Sequence, residues 1–285
     1  WEYQINNKLT LRGAHITGSG GPLIHFMPGT AFACRIYLPF LSRLAEHFDI
    51  FFHDFHGHGE SDTGDGVFCG WQKCVQWSAE VMDEHQLLQR YERVIGVGHS
   101  YGGCMTFILA AERPDLFSHL FLTDPFMVPE KDEATYRQMI APLVQKTHLK
   151  NPVFENESTV REYLKGRFMF MNWHEEAVQA YINHNMNQLP NGSFELKCSP
   201  SIEAGVYDNV VEGLWPSVAK VPHPTRILSG KQSVPYFREG AQIAATRKEN
   251  IEVHETEGSH SFMQERPQEV YEQSLQLIEE LLQNF

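Results

Sequence analysis

Residues 94–107, VIGVGHSYGGCMTF, restrict the possible folds of this chain more than any other stretch. An apolar run, Val94 to Val97, has the look of a buried strand, and residues 102–112 have helical character. Ser100 stands at the changeover, with Gly98 and Gly102 two residues away on either side. A strand that turns directly into a helix leaves no space for side chains at those flanking positions, and the serine itself takes a strained backbone. Alternation of strands with helices argues for a largely parallel sheet with right-handed crossovers, the α/β class.

The rest of the chain carries the same alternation, with one interruption. Residues 1–15 read as a hairpin turning at Asn6-Asn7. An apolar run into Pro28-Gly29 follows, then a helix over Pro39–His47 and a buried strand in FDIFFHDF. Residues 72–91 read as helix, and SHLFLTDP as another strand. From 131 to 186 only helical periods are visible, and 187–222 is looser, with Pro190, Asn191-Gly192, Pro200 and Pro216. Strand–helix alternation resumes at TRILSG and ends with a helix over 264–283. The expected organisation is a doubly wound core of residues 1–125 and 223–285, with a helical cap inserted at 126–222. Insertions at such places usually serve a site.

Charge narrows the partners. A net charge of −13 disfavours nucleic acid and anionic membrane surfaces. No stretch reaches the roughly 18–20 apolar residues of a membrane span. The five cysteines (34, 69, 74, 104 and 198) show no metal-type spacing, and an odd number suits a reducing compartment, so a cytoplasmic location is the expectation. Nineteen Phe, ten Tyr and five Trp allow an aromatic-lined pocket.

Gly98-His99-Ser100-Tyr101-Gly102 fits the G-x-S-x-G turn that lifts a serine hydroxyl out of a sheet. Such a hydroxyl is a poor nucleophile until a base takes its proton. His260 follows a strand-like run and precedes the last helix, whereas His254 lies inside the apparent strand and His223 precedes one. A third group must orient the imidazole. The loop after TRILSG, where an acid is usual, reads Gly230-Lys231-Gln232-Ser233, and serine cannot serve as an anion. Asp124 ends the preceding strand and keeps the order Ser, Asp, His. For a developing oxyanion, the expected donors are the backbone N–H groups of Met27 and Tyr101. A metal site at His53-Asp54-x-His56-x-His58 is the rival reading, but its spacing is wrong and no second cluster completes it. Nothing in the sequence demands a cofactor.

Together, His25…Pro28-Gly29, Asp54-x-x-Gly57-x-Gly59-x-Ser61, Gly98-x-Ser100-x-Gly102 and Gly258-Ser259-His260…Glu265-x-Pro267 resemble the α/β-hydrolase fold superfamily, in its capped serine-hydrolase branch. Phe26 stands where a glycine is common in that family, and Ser233 where many members have their acid. Serine at position 100 argues against haloalkane dehalogenases and epoxide hydrolases. The resemblance implies cleavage of a small-molecule carboxylic ester through an acyl-enzyme. Thioesters, carbon–carbon bonds, or ligand binding without turnover are the alternatives. Apolar GRFMFMNW (166–173) suggests a pocket roof, so Phe26, Phe126, Phe170 and Trp173 are the expected substrate contacts, with Trp215 nearby.

Overall fold

A computed structural model describes residues 1–209 and 211–283. The hairpin pairs β1 (Glu2–Asn6) with β2 (Leu9–Ile16) in antiparallel fashion. Next come β3 (Leu23–Met27), α1 (Leu38–Leu44), β4 (Asp49–His53), α2 (Trp71–Glu84), α3 (Leu87–Arg90), β5 (Val94–His99), α4 (Tyr101–Glu112) and β6 (His119–Thr123). The sheet is completed after the insertion by β10 (Thr225–Gly230), α10 (Pro235–Arg247) and β11 (Ile251–Thr256), and α11 (Phe262–Glu265) and α12 (Pro267–Gln283) follow. Its eight strands lie in the order β1-β2-β4-β3-β5-β6-β10-β11, parallel from β4 across to β11. β3, β5 and β6 are buried at every position, as strands covered by helices on both faces must be.

The insertion between β6 and β10 is less purely helical than its periodicity suggests. It holds α5 (Glu133–His148), β7 (Val153–Phe154), α6 (Glu157–Lys165), α7 (Glu175–Asn185), β8 (Met186–Gln188), β9 (Phe194–Leu196), α8 (Pro200–Asp208) and α9 (Leu214–Lys220). β7, β9 and β8 form a small antiparallel sheet. Strands of two or three residues are too short to leave an alternating signal. GRFMFMNW is not helical either. Gly166 caps α6, and residues 166–172 form successive turns that leave Phe168 80% and Met171 53% exposed. An apolar run without a polar face gives a helix nothing to orient. α9 packs on α4, with Trp215 Nε1 donating to Val128 O, so the end of the insertion lies against the sheet's own helices. No helix among the described residues is long and apolar enough to cross a membrane.

Several imidazoles are wholly enclosed. Burial pushes His25 and His99 well below the usual histidine range, and His53 and His58 down to about 4. The unfolded chain takes these protons below about pH 6.5, while the folded chain refuses them. Stability is therefore lost as pH falls from about 6.5 towards 4, by up to about 1.4 kcal/mol per pH unit for each imidazole. Asp54, raised by burial, and His56, raised against the opposing effect of its burial by its contact with Cys69, work in the opposite direction but are two groups against several. Urea unfolding at pH 7.5 and 5.5 should show a clearly lower midpoint at the acid value. Equal midpoints would mean that the imidazoles are not enclosed as described.

Candidate active site

The turn after β5 puts Ser100 at φ 54°, ψ −122°, outside the regions side chains favour. Three backbone bonds hold it there: Ser100 N–H to Thr123 O, and Cys104 N–H and Phe126 N–H to Ser100 O. The positions two residues to either side cannot be larger than glycine. A Cβ on Gly98 would lie 2.5 Å from Gly102 O, and one on Gly102 would lie 2.2 Å from Met27 O. The strained turn is thus wedged between β6 and the exit of β3.

The three side chains expected from sequence meet at the carboxyl ends of the strands. His260 Nδ1 donates to Asp124 Oδ2 at 2.5 Å, and its Nε2 lies 2.9 Å from Ser100 Oγ. Because the carboxylate can only accept, Nδ1 carries the proton and Nε2 is free to accept from the serine hydroxyl. Asp124 is 1% exposed, and its own φ is 45°. Oδ1 accepts from Ser229 Oγ at 3.0 Å and from Gly230 N–H at 3.2 Å, and Oδ2 also accepts from Ser233 Oγ. Ser233 therefore has a role that sequence reasoning missed: it donates to the carboxylate one strand away. A hydrogen-bonded line of this kind can move a proton from a serine to an imidazole while a buried anion steadies the resulting cation.

A second line, also missed, supports the first. His99 Nε2 donates to His260 O at 2.9 Å, so its Nδ1 accepts from Tyr37 Oη at 2.7 Å, and that oxygen accepts from Gly29 N–H at 3.0 Å. Burial first, and then the neighbouring His260, keep His99 neutral. The loop after β3 and the loop bearing His260 are thereby tied together under Ser100.

Ser100 and His260 open on a cavity of about 450 Å³ with mainly apolar walls. Phe126 lines it, in an aromatic stack with Tyr101 (4.2 Å between ring centres), itself stacked on Trp71 at 4.6 Å. Tyr136, Met139, Tyr207 and Phe237 complete much of the wall, and none of them was marked by a sequence motif. Other expected contacts lie elsewhere. Phe26 is wholly buried behind the site, its ring 4.8 Å from that of Tyr37, because the inward position of a central strand belongs to the core. Trp173 is buried among Phe32, Phe170 and Tyr181, and Phe170 faces a second, larger cavity that adjoins the first. Trp215 is enclosed beside α4. Met27 ends the β3 ladder and is fully buried, so Gly29 and Thr30 form the cavity wall in its place. Thr30 Oγ1 is buried and has no hydrogen-bond partner among the described residues. Tyr101, the first residue of α4, has a backbone N–H outside the helical ladder.

Each imidazole of the 53–58 stretch spends one ring nitrogen on the protein. His53 Nε2 meets Ser78 Oγ, His56 Nε2 donates to Thr63 O, and His58 Nδ1 donates to His56 O. Asp54 accepts from the backbone of Cys34 and Glu60, and no group of three metal-type side chains converges among the described residues.

Known proteins give the same picture of the fold. A 2-(acetamidomethylene)succinate hydrolase of Mesorhizobium japonicum is 24% identical over 75% of this chain and 72% of its own. Mouse monoglyceride lipase is 30% identical, but the match spans only 32% of this chain and 30% of the lipase. Among solved structures, E-2-(acetamidomethylene)succinate hydrolase superposes with a TM-score of 0.78 at 22% identity, covering 95% of both chains. A peroxisomal alpha-beta-hydrolase of Saccharomyces cerevisiae gives 0.78 at 19% identity, over 97% of this chain and 83% of its own. The pattern of the Alpha/beta hydrolase family matches residues 23–273, and with the sheet order and strand-to-helix serine turn already described, the chain belongs to that family.

Proposed function

We propose that the protein is a serine hydrolase that cleaves a carboxylic ester through an acyl-enzyme intermediate. The observation that carries this reading is the unbroken line from Asp124 through His260 to Ser100, ending in an apolar cavity. Ser100 Oγ attacks the ester carbonyl carbon while His260 Nε2 takes the hydroxyl proton. The carbonyl oxygen becomes an anion beside the Tyr101 N–H and the turn after β3, where Thr30 replaces Met27 as the residue facing the cavity. The protonated His260 then gives its proton to the departing alkoxide, and the acyl group stays on Ser100. A water molecule, deprotonated by His260, attacks that acyl group and regenerates the serine. Residues 126–222 act as a cap, with Tyr136, Met139 and Tyr207 confining a small to medium apolar group.

A fluorophosphonate probe tests the nucleophile directly. We expect one adduct, on the peptide containing Ser100, and competition by substrate. A rate panel of p-nitrophenyl esters of graded chain length, with a thioester and a vinylogous diketone, identifies the bond cleaved. Absence of both labelling and turnover across the panel would leave a binding protein on a hydrolase fold.

A further inference from the structure

A second cavity of about 840 Å³ lies within the insertion. Thr30, Phe32, Leu143, Met169 and Tyr207 line both it and the serine cavity, so the two are contiguous. Its charged lining is unlike that of the molecule as a whole. The chain carries −13 overall, whereas this wall presents Lys146, Lys150 and Arg167 against Glu203 alone. Lys150 and Glu203 form an ion pair with side chains only 12% and 13% exposed. One ammonium proton answers Glu203, which leaves two for a ligand. Arg167 is half-buried, with its guanidinium 4.1 Å from the centre of the Tyr163 ring. Among the described residues, no carboxylate pairs with Arg167 or Lys146, and the guanidinium has no protein acceptor. A stacked, preset arginine fork in a cavity matches the geometry of a carboxylate.

Resting on the serine-ester reading, we propose that this second cavity binds a carboxylate carried by the substrate on the arm remote from the scissile carbonyl. The substrate class is then an ester whose apolar middle passes Phe32, Leu143 and Met169, with its anionic end held by Arg167 and Lys150. The simplest member of the class is a half-ester of a linear dicarboxylic acid.

The test compares the wild-type protein with Arg167→Ala and Arg167→Lys on three kinds of p-nitrophenyl ester: the acetate, a set of ω-carboxy esters of graded length, and fatty-acid esters of matched length. A charge-assisted pair of this type corresponds to roughly a 10- to 100-fold difference in kcat/KM. We expect the wild type to prefer one ω-carboxy length over its neutral match by that factor, less so at high salt. Arg167→Ala should abolish the preference, Arg167→Lys should restore part of it, and all three should hydrolyse the acetate equally. Calorimetric titration with the free dicarboxylate of that length gives a readout that needs no turnover, and Arg167→Ala should weaken binding by a similar factor. Equal acetate hydrolysis without any ω-carboxy preference, or a preference that survives Arg167→Ala, overturns the inference and leaves the ester reading standing. Loss of acetate hydrolysis in the wild type overturns the ester reading, and the titration then decides on the anion site alone.

Discussion

Replacing Ser100 by alanine is expected to lower ester turnover by at least about a thousandfold while the protein stays folded, because no acyl-enzyme can form. The fold should survive because the bonds that hold the turn are made by backbone atoms: Ser100 N–H to Thr123 O, and Ser100 O from Cys104 and Phe126. An alanine at φ 54°, ψ −122° carries the same Cβ strain that the serine already bears. What disappears is the oxygen 2.9 Å from His260 Nε2. Initial rates on p-nitrophenyl acetate, with circular dichroism as the check on folding, measure this. A folded variant keeping more than about a tenth of the rate would place the nucleophile elsewhere, since loss of a nucleophile of this kind costs several decades.

Asp124→Asn should reduce kcat by about 10⁴-fold with little change in stability. Oδ1 accepts from Ser229 and Gly230, and Oδ2 from Ser233 and His260. The asparagine oxygen can serve the first pair, which turns its amide N–H₂ towards the second. His260 Nδ1 must then accept, the ring proton moves to Nε2, and the imidazole can no longer take the proton of Ser100. If Asp124 merely shaped the turn before Pro125, asparagine would serve equally well and the rate would hardly change. Ser233 provides the companion experiment. Its hydroxyl already reaches Asp124 Oδ2, so Ser233→Asp in the Asp124→Asn background places a carboxylate one hydrogen bond from the same imidazole nitrogen. Partial recovery of kcat, with the pH profile of the parent, would show that a carboxylate at either position can orient His260. A silent Asp124→Asn would remove Asp124 from the mechanism and leave Ser100 and His260 without an assigned acid.

Local sequence carried the class of fold and the position of the serine. The parallel sheet was legible because buried strands such as β5 and β6 are continuous apolar runs, and amphipathic or glycine-opened helices follow them. The glycines around Ser100 were legible for the same local reason: a turn this tight excludes side chains whatever surrounds it. Ser100, Asp124 and His260 could be chosen from sequence because each follows a strand, and strand ends in a parallel sheet share one edge. Distance was a different matter. His260 is 160 residues from Ser100 and 136 from Asp124, and only the adjacency of β5, β6, β10 and β11 turns that separation into contact. The same adjacency made Ser233 a donor to Asp124, where the sequence showed only a missing acid. Which face a residue takes was also decided by the tertiary structure. Phe26 and Trp173 are as apolar as Phe126, yet they fill the core, and Phe126 alone of the three lies along the serine cavity. The insertion hid most from its sequence, because its short strands take their shape from pairing with one another and packing beside α6 and α7 rather than from any period of their own.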